Sequence, residues 1–273
     1  MCRNPGLGIR ALHRQGITGK GVNVAIIDQP LLLEHEEYKG KIATYVPIDC
    51  EGVGPQMHGA AVSSLLVGET CGTAPGASLF FFAEPSWKRD YAPRTAALRR
   101  ILAFNTGKEP TARIRVVSVS IGFNQDFQNL EEWKRTLEEA RRSGLIVIHC
   151  ARDIFGVGCP LYKDADDPSN FEICCFAKGR RAELPAGLLY VPIDNRTVAS
   201  FAGEKEFTFG AKGGLSWGAP YLAGVIALGF QIAPDLSEED VFRLLRGTGT
   251  PFNGGVIVNP GGFIQKIQEP GKD

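Results

Sequence analysis

Short apolar runs separated by helix-length amphipathic stretches constrain this chain more than any other feature. "VNVAII" at 22–27, "ASLFFF" at 77–82, "IRVVSVSI" at 114–121, "LIVIHC" at 145–150 and "ICCFA" at 173–177 are mostly apolar along their length. A run of that length suits a strand buried on both faces, as in a parallel sheet. Helical patterns lie between them. Residues 92–105 place Ala96, Leu98, Ile101, Leu102 and Phe104 at helical spacing, and "DFQNLEEWKRTLEEARRS" at 126–143 stops at Gly144, a residue suited to ending a helix. Another helix begins near Ser237, where "SEEDVFRLL" supplies the S-x-x-D variant of a capping box. This alternation predicts an α/β fold with a mostly parallel central sheet and helices on both faces. The chain of 273 residues has no repeat, low-complexity tract or linker. One domain spanning 1–273, with its core at about 8–268, is the simplest account.

Composition removes several classes of function. Lys plus Arg equals Asp plus Glu at 30 each, so the net charge is zero. No electrostatic footprint for nucleic acid or an anionic membrane surface is expected. No run of about 18 apolar residues occurs, so no membrane-spanning helix is predicted. The opening "MCRNPGLGIRALHRQG" has no apolar h-region, and a cytoplasmic location is expected. The seven cysteines, at 2, 50, 71, 150, 159, 174 and 175, are odd in number and form no C-x-x-C pair. They are expected to be free thiols in a reducing compartment, neither disulfides nor a zinc site. Asn195-Arg196-Thr197 is a glycosylation triplet without meaning in such a compartment.

In open α/β sheets, sites form at the carboxyl ends of the strands. "VNVAIIDQP" puts Asp28 directly after a strand, and "QMHGAAVSSLLVG" puts His58 before a glycine and an apolar helical run. "GLSWGAPYLAGVIAL" at 214–228 puts Ser216 in a small-residue turn that opens an apolar helix. Each has a plain alternative: a turn aspartate, a structural histidine, a serine N-cap. His13, His35 and His149 show no partner spacing and are taken as structural. Together, Asp28, His58 and Ser216 stand in one of the chain orders in which a Ser-His-Asp triad occurs.

With these motifs in that order, the sequence resembles the subtilisin-like serine peptidases. "GITGKGVNVAIID" is similar to the family's aspartate strand and its lead-in, "HGAAVSSLLVG" to its histidine helix, and "GTAPGASLFFF" to the segment that follows. "VSVSIG" at 117–122 is similar to the strand that binds substrate backbone. "GLSWGAPYLAG" is similar to the serine motif, with Gly214, Ser216, Ala219, Pro220, Ala223 and Gly224 in register. The resemblance implies a subtilisin-like fold and a serine endopeptidase acting on a peptide or protein substrate. Ser216 would be the nucleophile, His58 the general base and then acid, and Asp28 its orienting carboxylate. Ser120, Ile121 and Gly122 would pair with substrate backbone as an added strand. No cofactor is expected; the family often binds calcium, but no loop here is read as a metal site.

Several positions depart from the family pattern. Gln29-Pro30 follow the aspartate, where Ser or Thr and then Gly are usual. Leu215 stands where Thr is usual, and Trp217, bulky enough to crowd the site, where Met is usual. The family supplies an Asn amide to the oxyanion from the segment after the strand matching "LIVIHC". Here Asp153 falls at that place or, shifted by one residue, Arg152. An ionised aspartate only accepts hydrogen bonds and repels an oxyanion, whereas a protonated aspartate or an arginine donates. "YKDADDP" at 162–168 lies near where the family builds its primary specificity pocket and is taken as a solvated loop. Two functions follow: a peptidase of restricted specificity, or a pseudoprotease that binds peptides, motivated by Leu215, Trp217 and Asp153.

Overall fold

The protein is described by a computed structural model over residues 3–151, 153–178 and 184–269. After a short helix α1 (Ile9–Arg14), five strands form the main sheet: β1 (Asn23–Asp28), β2 (Ile42–Pro47), β3 (Ser78–Ala83), β4 (Ile114–Val119) and β5 (Ile146–His149). Their order is β2-β3-β1-β4-β5 and every pairing is parallel. Successive side chains of a strand point to opposite faces. Val24 and Ile26 enter one core, with Leu79, Phe81, Val116, Ile146 and Ile148. Ala25 and Ile27 enter the other, with Phe80, Phe82, Val117, Val119 and Val147. Both faces are buried, which is why these strands show no polar alternation in sequence.

Helices α2 (Met57–Val67) and α5 (Leu215–Ile232) cover the first face; α3 (Ala92–Asn105) and α4 (Leu130–Arg142) cover the second. The expected start of α4 at residue 126 is late by four residues, because Asn129 turns left-handed at φ 57° and its side chain is drawn to Asp90 at 2.7 Å. A second sheet runs β11 (Thr250–Phe252), β12 (Gly255–Ile257), β8 (Leu189–Pro192), β6 (Ile154–Gly158), β7 (Glu172–Ile173). Its inner three strands are parallel and its edges antiparallel. The strand expected at 173–177 is corrected: only Ile173 lies in β7. The Asp194 carboxylate captures the Cys175 N–H at 2.6 Å, and Cys175–Ala177 form a 3₁₀ turn.

A ribbon of β9 (Arg196–Ala199) and β10 (Phe207–Gly210) lies against α2, and α6 (Glu238–Thr248) and α7 (Pro260–Gln268) close the chain. Ser237 caps α6 as its spacing suggests, its Oγ accepting the Asp240 N–H at 3.1 Å. Helix α5, 18 residues long, is apolar enough to cross a membrane by length and composition alone, contrary to the sequence expectation. Its small residues explain the difference: Gly218, Ala219, Ala223, Gly224 and Gly229 are buried where the sheets and neighbouring helices pack on it. A Cβ at Gly224 would overlap the Thr73 hydroxyl, and α5 is a core helix, 72% buried.

Candidate active site

Strand parity decides which side chains meet at the carboxyl edge of the main sheet. Asp28 continues the Val24, Ile26 series and so faces α2 and α5. His58 is at the second position of α2 and Ser216 at the second position of α5. Ser120 continues the Val116, Ser118 series, and Cys150 the Ile146, Ile148 series, toward α5. Five segments thus deliver Asp28, His58, Ser216, Ser120 and Cys150 to one corner.

The Asp28–His58 half is tightly bound. His58 Nδ1–H donates to Asp28 Oδ1 at 2.7 Å; the same oxygen accepts the Gln29 N–H at 2.8 Å. A carboxylate on Nδ1 fixes the tautomer, so the neutral ring carries its lone pair on Nε2. Burial pulls the His58 pKa down, but the charge and hydrogen bond of Asp28, with the charge of Glu84 behind them, outweigh it and leave the pKa raised above 6.5. Helix α2 is moored to the turn after β1 by the Gln56 N–H on the Pro30 carbonyl at 2.7 Å. Gly59 permits this approach, since a Cβ there would overlap the Gln29 carbonyl oxygen.

The serine half is arranged differently. The N-cap of α5 is Gly214, so Ser216 is not the capping residue. Pro220 has no N–H to give the carbonyl four residues back. Ser120 Oγ–H donates to that Ser216 carbonyl instead, at 3.0 Å. Ser216 Oγ–H in turn donates to the Ser120 carbonyl at 3.3 Å, and no hydrogen bond joins it to His58. Burial and the Asp28 charge, opposed by the nearby Ser216 hydroxyl, push the Cys150 pKa up to about 12, so the thiol is neutral. Trp217 does not fill the site: it packs on Ala61, Leu65 and Val198, and its ring lies 5.5 Å from that of His58.

The segment expected to bind substrate backbone, Ser120, Ile121 and Gly122, lies beyond the end of β4 at Val119 and is not strand. The Ser120 carbonyl accepts from Ser216, the Ile121 carbonyl from the Cys150 N–H at 2.9 Å, and the Gly122 carbonyl from the Tyr91 hydroxyl at 2.8 Å. Asp153 is not at the serine: its side chain is 71% exposed and Oδ2 is 3.2 Å from Arg246 Nη2. The expectation that it supplies the oxyanion donor is corrected for this arrangement, because its side chain turns outward to the Arg246 guanidinium on the surface. Arg152 lies outside the described residues. Among the described residues no group of three or more His, Cys, Asp or Glu side chains is placed to hold a metal ion. The acidic loop at 162–168 is exposed and ties down the chain start, with the Gly8 N–H on Asp166 at 3.0 Å and the Leu7 N–H on the Ala165 carbonyl at 2.8 Å.

Sequence reasoning missed a second, deeper pair. Glu84 follows β3 and continues the Phe80, Phe82 series toward α3. Arg94 comes down from α3, its Nη2 2.7 Å from Glu84 Oε1, with both side chains 2% exposed. The Glu84 N–H donates to the Asp28 carbonyl at 2.8 Å. Burial pushes the Glu84 pKa up to about 7 against the pull of Arg94. The period-2 pattern of "ASLFFFAE" held the signal for Glu84; nothing local marked Arg94 as its partner.

The layers and the corner geometry define a class: a subtilisin-like α/β fold with Asp, His and Ser gathered at the carboxyl edge of its sheet. Solved structures with this fold overlie nearly the whole chain. The structure of the prenylagaramide maturation protease PagA is similar with TM-score 0.65 at 16% identity, covering 95% of this chain and 98% of that one. A structure of subtilase cytotoxin SubAB assembly is similar with TM-score 0.69 at 15% identity over 96% and 95%. The A-subunit of the AB5 toxin from E. coli is similar with TM-score 0.70 at 12% identity over 97% and 98%. No family model matches the sequence, and no curated protein does. The resemblance to the subtilisin-like serine peptidase family is corrected accordingly: at 12–16% identity the likeness extends to the fold, not to membership. The short motifs that carried it are interrupted at Gln29-Pro30, Leu215, Trp217 and Asp153.

Proposed function

We propose that the protein is a serine endopeptidase that cleaves peptide bonds through an acyl-enzyme on Ser216. The observation that carries this reading is the convergence at one sheet edge of Ser216, in the first turn of α5, with a His58 imidazole held at 2.7 Å on Asp28. His58 Nε2 takes the Ser216 proton as Oγ attacks the scissile carbonyl carbon. The tetrahedral oxyanion draws on the Ser216 N–H, an unpaired donor of the helix's first turn. His58 then protonates the leaving nitrogen as the carbon–nitrogen bond breaks, and water repeats the sequence to release the acid. Ser216 must first leave the Ser120 carbonyl for His58, a rotation about one side-chain bond. The engaged carbonyls of Ser120, Ile121 and Gly122 favour a narrow range of peptide substrates over broad degradation. Free thiols at Cys50, Cys71, Cys150, Cys174 and Cys175 support work in a reducing cell interior.

A second reading, a peptide-binding pseudoprotease, is favoured by the Ser216–Ser120 bond and by Asp153 turning to Arg246. Labelling by a fluorophosphonate, read by intact mass, separates the two. The peptidase reading expects one adduct on the wild type and none on Ser216→Ala. Its rate should rise with pH through a midpoint above 6.5, because the raised His58 pKa keeps the base protonated below it. No adduct on the folded protein at any pH favours the pseudoprotease.

A further inference from the structure

Beside the Asp28–His58 dyad lies a cavity of about 220 Å³ whose lining includes Asp28, His58, Glu84 and Arg94 and the half-buried Gln29 and Ser120. Buried charges of this kind are costly unless each is fully paired. Glu84 Oε2 and Arg94 Nη1 nevertheless have no hydrogen-bond partner among the described residues. The pair is also mechanically joined to the dyad, through the Glu84 N–H on the Asp28 carbonyl and the stacking of Arg94 near the Tyr91 ring, 5.4 Å away. Tyr91 in turn holds the Gly122 carbonyl. Replacing such an ion pair by uncharged residues is often neutral for stability, so stability alone gives weak reason for it.

We propose that Glu84 and Arg94 are positioning residues that set, through their charge, how readily His58 holds a proton. The inference deepens the reading of His58 as the general base of Ser216. The charges around His58 come from three elements: Asp28 at the end of β1, Glu84 after β3 and Arg94 on α3. Helix α5 faces it with the uncharged Trp217 ring, and Cys150, after β5, is a neutral thiol nearer Asp28 and Ser216. When ionised, Glu84 favours the imidazolium and Arg94 opposes it, and both side chains are buried. The pair therefore moderates the base: Arg94 alone would leave it too weak, and the pull of Arg94 on the Glu84 carboxyl keeps the opposing charge available.

The test follows the His58 Cε1–H resonance against pH by NMR, assigned by its loss in His58→Gln. This needs no turnover, so it stands apart from whether Ser216 acylates; absent labelling with the predicted titrations would sink the peptidase reading and leave this inference intact. In Glu84→Gln, which keeps shape and an acceptor for Arg94, the midpoint should fall by about one pH unit. Adding Arg94→Met should move it back up toward wild type. A purely structural pair does not produce that reversal. A midpoint unchanged in Glu84→Gln, or one that Arg94→Met fails to restore, overturns the proposal. Should Glu84→Gln not fold, the double variant is set against Glu84→Gln combined with Arg94→Lys, which keeps a cation: the lysine variant should have the lower midpoint, and equal midpoints overturn the proposal.

Discussion

The two halves of the candidate site are built to different standards. The aspartate–histidine half is fixed by the dyad bond, by the Gln29 N–H on Asp28, by the Gln56 N–H on Pro30 and by the close seat of Gly59. The serine half is held by an exchange between Ser120 and Ser216, one of its two bonds at 3.3 Å, and its neighbouring loop places Asp153 on the outer surface. Under the proposed peptidase reading, the base is pre-set, whereas the nucleophile must turn to meet it. That arrangement suits an enzyme whose substrate completes the site, since catalytic hydrogen bonds often tighten only in the bound complex.

The largest way to break this contrast is to disable the pre-set half. Asp28→Asn should lower the fluorophosphonate labelling rate by about 10⁴-fold, the size of loss seen when an orienting aspartate loses its charge in another serine protease. A loss under tenfold would mean that Asp28 orients nothing of consequence. The same variant has a stability signature with a definite sign. His58 holds its proton more readily folded than unfolded, so the dyad's contribution is full below pH 6.5 and fades as pH rises through the folded value. Thermal melts should therefore show Asp28→Asn costing more in mildly acidic than in alkaline buffer.

The next effect is steric. Gly59→Ala forces a methyl group against the Gln29 carbonyl and should cost about 1–3 kcal/mol in chemical denaturation, with labelling impaired as α2 is displaced. Gly247→Ala is the counterpart. It lies inside α6 with open space around its would-be Cβ, and it should stabilise by about 0.5–1 kcal/mol. Equal outcomes at the two glycines would remove the claim that α2 is specially seated.

The same contrast explains what could be read from the chain. Asp28, His58 and Ser216 were legible because each is tied to a long local pattern: an apolar strand ending in a carboxylate, or a small-residue turn entering an apolar helix. Strands β1, β3, β4 and β5 were legible for the same reason, being buried on both faces. The short strands of the second sheet carry two to five residues each and no period to detect. The Glu84–Arg94 pair joins β3 to α3 across the back of the sheet, and only the assembled layers make it visible. Asp153 was misjudged because alignment by motif cannot tell which way a loop side chain turns; Arg246, 93 residues later, decides that.

Asp153→Asn sharpens the weaker half and carries the smallest expected effect. The wild-type carboxylate sits in a mostly exposed ion pair with Arg246, and such pairs contribute about 0–1 kcal/mol. The amide would also face solvent, so the labelling rate should change by less than about threefold, within what loss of one exposed charge produces at neighbouring sites. If residue 153 instead turned inward to the oxyanion, exchanging an acceptor for a donor would raise the rate by about 10²–10³-fold, the measured worth of one such donor elsewhere. A small change would leave the Ser216 N–H at the head of α5 as the principal donor among the described residues. The serine half would then be weak by construction, and whatever labelling rate the protein reaches would come from the half that is already set.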